Sequence, residues 1–451
     1  MSEVKVNKIS PRTACGTVTL GDSGDTFTIP SGATITNSGT ASGFGATGAV
    51  SWDTSSIKTA GFTATVGIGY FCNTTSGIFT VALPAGSAGD VVGIADYAQT
   101  FNTNNLTVAP DGSEKIGGIV GDAVMTVDGV AATLVYVDGT QGWTVTDSGS
   151  STDVPGPQFI TATGGTPCSG AVDGDYKVHT FTGPGTLCVS NAGNVAGSTT
   201  VDFLVIAGGG GGGKGEGNTD EKGGGGGSGG YLASYPNPAT GGHPVAVTPY
   251  AITVGGGGTG GGPAQPNVAT QGSSSIFSTI TSAGGGRAGQ NHPAYFAGGD
   301  GGTGGGGSGG GPRAGGSGNT PPVSSPSNPV QGFNGGNGIA APSGAGGGGG
   351  GASAIGANGA SGCGGNGGAG FTSCITGSPV PRGGGGGGGA GGAGGTATAG
   401  GGVGAGCSPC TAAAAGTVNT GGGGGGGGRD TGATNGADGG SGIVVIRYKF
   451  Q

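Results

Sequence analysis

The sequence predicts an all-β protein: a short proximal β segment, a β-sandwich module, and a small sheet that brackets a glycine-rich domain of polyglycine II helices. Three observations carry this expectation. No stretch has the apolar periodicity of a helix. Short alternating segments punctuated by Gly, Pro, Asn and Asp recur as far as residue 147. Finally, glycine supplies 125 of the 451 residues, with pure runs at Gly208–Gly213, Gly223–Gly227, Gly304–Gly307, Gly346–Gly351, Gly383–Gly389 and Gly421–Gly428.

Residues 1–48 read as thin β structure. Thr17–Leu20, Asp25–Ile29 and Ala33–Ile35 alternate apolar and polar side chains between turns. Strands this short bury little by themselves, so association with other copies or with a larger particle is expected. Val4, Val6 and Ile9 are the candidate anchoring residues.

Residues 49–147 are the most ordinary globular portion. Candidate strands are 63–68, 78–83, 90–94, 106–109, 123–127, 133–137 and 142–146, with turn signals at Asp111-Gly112, Asp128-Gly129 and Asp138-Gly139. Such spacing suits a sandwich or barrel. Trp52, Phe79, Leu83, Leu106, Leu134, Tyr136 and Trp143 are the expected core.

Residues 148–171 read as a linker, opening with Ser148 to Pro157. The distal domain, 172–451, starts with Tyr176–Phe181, Thr186–Ser190 and Val201–Ile206, and the last of these leads straight into glycine. At the far end, Ile443–Phe450 follows the final run. These two β-branched segments are expected to pair, so that the glycine block leaves and re-enters one sheet. Further strands are expected at 250–254 and 275–282.

A glycine run has no side chains with which to build a core. Either it is a flexible linker, or backbone hydrogen bonds hold it. The second case is polyglycine II: a left-handed threefold helix rising about 3.1 Å per residue, without internal hydrogen bonds. Its N–H and C=O groups must find partners on neighbouring helices. Ordering glycine costs more backbone entropy than ordering any other residue. Only an extensive lattice repays that, which suits so many runs.

Composition excludes several classes. Lys and Arg total 14 and do not cluster, the net charge is −8, and no nucleic-acid surface is expected. No apolar stretch has membrane-spanning length. The opening MSEVKVNKIS lacks the apolar region of a secretory signal, yet Thr, Ser, Asn and Gly dominate as in extracellular proteins. Release by lysis, as for a virion component, reconciles the two. Of the eight cysteines, only Cys407 and Cys410 form a CxxC pair. That is too few for the usual zinc spacing, so thiols or a local staple are expected.

Three segments then carry a resemblance. YKVHTFTGPGTLCVS, VDFLVIAGGGGGG and the ending GGSGIVVIRYKF resemble the glycine-rich domain of tailed-bacteriophage fibre proteins, especially those of marine phages. TSGIFTVALPAGSAGDVVGIADYAQTFNTNNLTVAPDGSEKIGG with TLVYVDGTQGWTV is similar to a β module of phage tail fibres, and VNKISPR with VTLGDSGDTFTIPSGATI to the proximal end of such fibres. The resemblance implies a virion fibre, commonly a homotrimer. Its N-terminus would dock to a tail or other virion protein, and its distal tip would meet a host cell-surface glycan or outer-membrane protein. Phage tip adhesins carry polyglycine II slabs whose inter-run loops form the receptor surface. This chain also has its own proximal segment, so an assembly role without adhesion stays open, as does a glycine-rich extracellular surface protein.

Chemical motifs are sparse. Gly208–Gly213 followed by Lys214 imitates a phosphate-binding loop, but position 215 is glycine, not Ser or Thr, and no helix follows. His179, His243 and His292 stand apart from one another. Asp173 with Asp175, and Asp430 with Asp438, read as turns before they read as calcium ligands. No nucleophile, base and orienting acid can be named together, and no paired carboxylates suggest a glycosidase. No enzyme, cofactor or metal is expected. Aromatic and histidine side chains between glycine runs are the receptor-binding candidates: Tyr231, Tyr235, His243, His292, Tyr295, Phe296, Phe333 and Phe371. The competing role for them is to cover the edges of the glycine slab.

Overall fold

The computed structural model describes residues 50–148, 156–216, 221–235, 242–262, 267–291, 294–323, 330–340, 343–407, 410–429 and 435–451. The proximal strands, Val4, Val6, Ile9 and His292 lie outside the described residues. Within them the fold is all β, in several separate sheets.

The module after residue 50 contains β1 (Ser51–Lys58), β2 (Phe62–Thr63), β3 (Ile68–Cys72), β4 (Phe79–Ala82), β5 (Val91–Asp96), β6 (Leu106–Ala109), β7 (Lys115–Ile116), β8 (Ile119–Val120), β9 (Ala123–Met125), β10 (Ala131–Asp138) and β11 (Gly142–Val145). One sheet has the order β1-β3-β5-β10-β11-β7-β8, the other β2-β4-β6-β9. Two sheets around one core match the expected sandwich, but the connectivity is less usual. β1, β3 and β5 pair in parallel, as do β2, β4 and β6. The chain therefore winds from sheet to sheet, strand by strand, before the antiparallel β10–β11 hairpin ends the winding. A parallel pair cannot be joined by a tight hairpin, and each crossing to the other sheet supplies the needed connection.

Leu83, Leu106, Leu134 and Trp143 are buried in this core, with Phe79 and Tyr136 packed against it. Trp52 is not: it is 38% exposed, on an edge strand, with its ring 5.0 Å from that of Phe71. The strand expected at 63–68 is also interrupted. Gly67 has φ +83°, a conformation L side chains rarely adopt, and turns the chain between β2 and β3.

The second half opens with β12 (Ile160–Thr163), β13 (Thr166–Asp173), β14 (Tyr176–Phe181), β15 (Gly185–Ala192) and β16 (Thr200–Ile206). β12 and most of β13 fall in the span expected to be a linker. Inside the glycine-rich region lie β17 (Tyr231–Ala233), β18 (His243–Pro244), β19 (Pro249–Thr253), β20 (Ser275–Phe277), β21 (Ile280–Ser282), the hairpin β22 (Phe371–Ser373) and β23 (Val380–Arg382), and the hairpin β24 (Gly406–Cys407) and β25 (Cys410–Thr411). The chain closes with β26 (Ile443–Lys449).

The expected bracket is present. β16 and β26 pair antiparallel, Phe203 opposite Ile446 and Val205 opposite Val444, at the centre of the sheet β13-β14-β26-β16-β17. One face of this sheet packs Phe203, Val205, Val444, Ile446 and Tyr448 against Ile160, Leu187, Ile252 and Phe277 of the sheet β12-β15-β19-β20-β21. The other face buries Leu204, Ile206, Ile443 and Val445 with Ala352 and Ile375 at the end of the glycine region.

From this clamp the glycine runs extend as a lattice. Gly208 and Gly211 donate their N–H groups to Ser273 and Thr270, Gly209 and Gly212 to Gly440 and Ala437, and Gly210 and Gly213 to Gly227 and Gly224, all at 2.8–3.0 Å. The recipient changes with every residue and returns after three, which is the signature of a threefold helix. The carbonyls of this run rotate likewise among Gly285 and Ala288, Gly258 and Gly261, and Gly424 and Gly427. Three donor directions and three acceptor directions surround one run with six neighbouring segments. The run at Gly223–Gly230 repeats the scheme, donating in turn towards Gly421–Gly427, Ala283–Gly289 and Gly347–Gly350. The glycines of these two runs have no φ in the positive region.

Side-chain hydroxyls stitch the lattice to the sheets. Ser275 Oγ donates to the Ile206 carbonyl at 2.8 Å and accepts from Gly255 N–H. Thr303 Oγ1 donates to the Ser228 carbonyl, and Gln331 Oε1 accepts from Ala283 N–H. All of these side chains are buried.

Candidate binding surface

Pairing across the lattice fixes which turns lie together. Gly210 and Gly213 bond to Gly227 and Gly224, so the first two runs are antiparallel. Gly346, Gly349 and Ala352 donate to Gly389, Gly386 and Gly383, another antiparallel pair. Runs therefore go out from the sheets and back. Their turns gather in two sets: one on the sheets, one at the far end. A run of six residues spans roughly 20 Å, which separates the two sets.

The far end holds Tyr295 and Phe296. The turn between Gln290 and Ala297 is tied at both sides: Gln290 N–H donates to the Tyr295 carbonyl at 2.9 Å, and Ser308 N–H and Oγ both donate to the Phe296 carbonyl. Each ring is backed by a guanidinium, Arg287 at 4.5 Å from the Tyr295 centroid and Arg313 at 3.6 Å from that of Phe296. Cation–π contact of this kind holds an aromatic face in one orientation. Burial lowers the pKa of Arg287, against the opposing influence of Tyr295 and Asp300. Both aromatic residues are half-buried, so part of each ring faces outward from a fixed mount. Sequence reasoning missed Arg287 and Arg313, whose only signal was a position beside the same turns.

The remaining described candidates sit at the sheet end, apart from Tyr295 and Phe296. Tyr231 is 4% exposed in β17, and Phe371 packs on it with centroids 5.3 Å apart. Tyr235 lies 5.2 Å from the Arg447 guanidinium. His243 in β18 stacks edge-on against Phe277 at 5.3 Å and shares a 3.1 Å hydrogen bond with Ser278. Burial lowers its pKa. Phe333 is threaded into the lattice by its backbone, donating to Gly351 and accepting from Gly304. Tyr231, Tyr235, His243 and Phe371 thus each rest against a neighbouring side chain at the sheet end.

The phosphate-loop imitation at Gly208–Gly213 also resolves structurally. All six N–H groups are spent on carbonyl oxygens of other runs, and none is free to cradle an anion. His179 is buried, its Nδ1 2.7 Å from the Gly164 carbonyl and its Nε2 3.0 Å from the Tyr448 hydroxyl. Burial holds its pKa below the usual value. Asp173 pairs with Arg447 at 2.7 Å. Among the described residues no group of three His, Cys, Asp or Glu side chains could hold a metal ion. Cys72, Cys168, Cys188, Cys363, Cys374 and Cys407 are free thiols, and burial pushes that of Cys72 up to about 12. Cys407 and Cys410 face each other across their hairpin.

A family model described as a glycine-rich domain matches residues 182–449, more than half of the chain. No curated protein matches the sequence significantly.

Proposed function

Since the chain belongs to the glycine-rich domain family, we propose that it is a structural fibre protein of a bacteriophage virion, a tail fibre whose glycine slab forms the distal tip. The observation that carries this reading is the lattice. Its backbone groups are used up internally, so it works as a stiff, chemically inert mount rather than a catalytic site. A mount of this kind gathers turns at one end, where they meet a partner as loops on a rigid scaffold do. Tyr295 and Phe296, each held by an arginine, are the binding aromatics on this reading. The host partner is a surface glycan or an outer-membrane protein. The resemblance of the bracketing segments to phage fibres supports the virion assignment, the homotrimer and docking through Val4, Val6 and Ile9.

The second reading is a capsid-attached fibre or decoration protein without a receptor role. Tyr231, Tyr235, His243 and Phe371 at the sheet end favour it, because they pack against neighbouring side chains. Deleting residues 1–10 tests the assignment. The truncated protein should remain a soluble trimer by light scattering and should no longer enter particles when supplied in trans. A truncated protein that still enters particles refutes N-terminal docking. A full-length protein that is monomeric refutes the trimer.

A further inference from the structure

The lattice-facing side of the bracketing sheet is apolar through Val178, Leu204, Ile206, Ile443 and Val445, but not at its free end. Pairing sets Asp202 opposite Arg447, Arg447 opposite Val178, and Lys449 opposite Tyr176. Alternate residues of a strand share a face. Thr200, Asp202, Arg447, Lys449 and Tyr176 therefore stand together on three adjacent strands. With Ser198 they line an open cleft of about 330 Å³.

The cleft has a fixed polar frame. The Arg447 guanidinium lies between two rings, 4.3 Å from the Tyr176 centroid and 5.2 Å from that of Tyr235. Its Nη1 donates to Asp173 Oδ2 at 2.7 Å and to the Ile375 carbonyl at 3.4 Å, while its Nε–H has no acceptor among the described residues. Asp202 Oδ1 accepts from Ser234 Oγ at 2.8 Å, and its other oxygen takes no protein hydrogen bond among the described residues. Of the charged side chains lining the cleft, Arg447 is already neutralised by Asp173, which lies outside the lining, so Asp202 and Lys449 remain as one carboxylate and one ammonium. These charges balance, so the cleft has no surplus with which to hold a phosphate or sulfate.

What suits charged donors and charged acceptors side by side is a ligand that offers both roles at neighbouring atoms. A vicinal diol does so: one hydroxyl donates to Asp202 while the next accepts from Lys449, each bond strengthened by the charge. Tyr176 supplies the apolar wall that a pyranose C–H face needs. The volume is at the small end of ligand pockets, which favours one or two rings over a long chain. We infer that this cleft binds a neutral saccharide of one or two pyranose units, at the opposite end of the glycine slab from Tyr295 and Phe296. The inference does not depend on the virion assignment.

The test is saturation-transfer NMR and calorimetry of the full chain with glucose, galactose, mannose, N-acetylglucosamine and glucuronic acid. At least one neutral sugar should bind. Asp202→Asn keeps an oxygen for Ser234 yet should weaken binding about tenfold, the value of one charge-assisted hydrogen bond, without moving the melting temperature. Lys449→Gln should weaken it also, and glucuronic acid should bind no better than glucose. Silence from all four neutral sugars overturns the inference, as does binding that survives Asp202→Asn. Tightest binding by glucuronic acid would show an anion site instead.

Discussion

A single methyl-bearing side chain in the middle of the glycine lattice should destabilise the whole distal domain. Gly386 is fully enclosed: its N–H donates to Gly226 at 2.9 Å and its carbonyl accepts from Gly349 at 2.8 Å. A Cβ built at this position falls on the carbonyl of Gly424, well inside van der Waals contact. That carbonyl belongs to backbone, so no flexible end can swing away. Gly386→Val must therefore push apart two runs that are joined on either side of the clash by Gly423 N–H to Gly384 and Gly426 N–H to Gly387. Overpacking costs about 1–3 kcal/mol, and each buried polar group left without a partner about 1–3 kcal/mol more. The expected destabilisation is on the order of 3–5 kcal/mol. Gly256→Ala is the control, because nothing lies within 4 Å of its Cβ direction, and it should change stability by no more than about 0.5 kcal/mol. Denaturant titration of both variants followed by circular dichroism gives the comparison. If Gly386→Val unfolds at the wild-type midpoint, the lattice does not hold the domain.

Deleting 443–451 removes β26 from the centre of the bracketing sheet and should abolish the cooperative unfolding transition of the glycine domain while the β1–β11 module still melts; retention of both transitions contradicts the clamp. Replacing Tyr295 and Phe296 by alanine should reduce host adsorption several-fold without altering assembly, and unchanged adsorption removes the adhesive role. His179 sets a pH dependence: its folded pKa lies below the ordinary 6.5 because burial disfavours the charged ring. Between that folded value and 6.5 the unfolded chain binds more protons, so stability is fully present above pH 6.5 and falls as pH drops through this window. His179→Gln should flatten this part of the wild-type profile, and identical profiles would show that His179 contributes nothing to it.

The parts of this fold legible in the sequence are those where side chains carry the signal. Val201–Ile206 and Ile443–Phe450 are β-branched and bound glycine on one side, so both their strand character and their pairing could be read. β13 could not. Gly170 is its one fully buried residue, and an edge strand in polar company leaves no alternation to detect. Trp52 misled for the opposite reason, because size suggests burial while β1 sits at a sheet edge. The winding of β1 to β6 between sheets was invisible, since period-two alternation is the same in parallel and antiparallel strands. Among the binding candidates, Tyr231 and Phe371 read as loop aromatics because glycine directly precedes each. The ends of a glycine lattice are themselves packing surfaces, and local sequence does not say which end a turn occupies. That depends on the out-and-back order of the runs, which only the hydrogen-bond pairing reveals.

The central claim is that backbone hydrogen bonds, and not side-chain burial, hold the distal half together. Hydrogen exchange on protein labelled with ¹⁵N at glycine tests it most directly. The amides of Gly209–Gly213, Gly224–Gly227, Gly385–Gly389 and Gly423–Gly427 donate to lattice carbonyls and should exchange together, slowed by orders of magnitude as cooperative opening requires. Exposed turn glycines such as Gly139 and Gly174 should exchange much faster. If the run amides all exchange at the rate of an unstructured chain, the glycine block is a linker and the account is wrong.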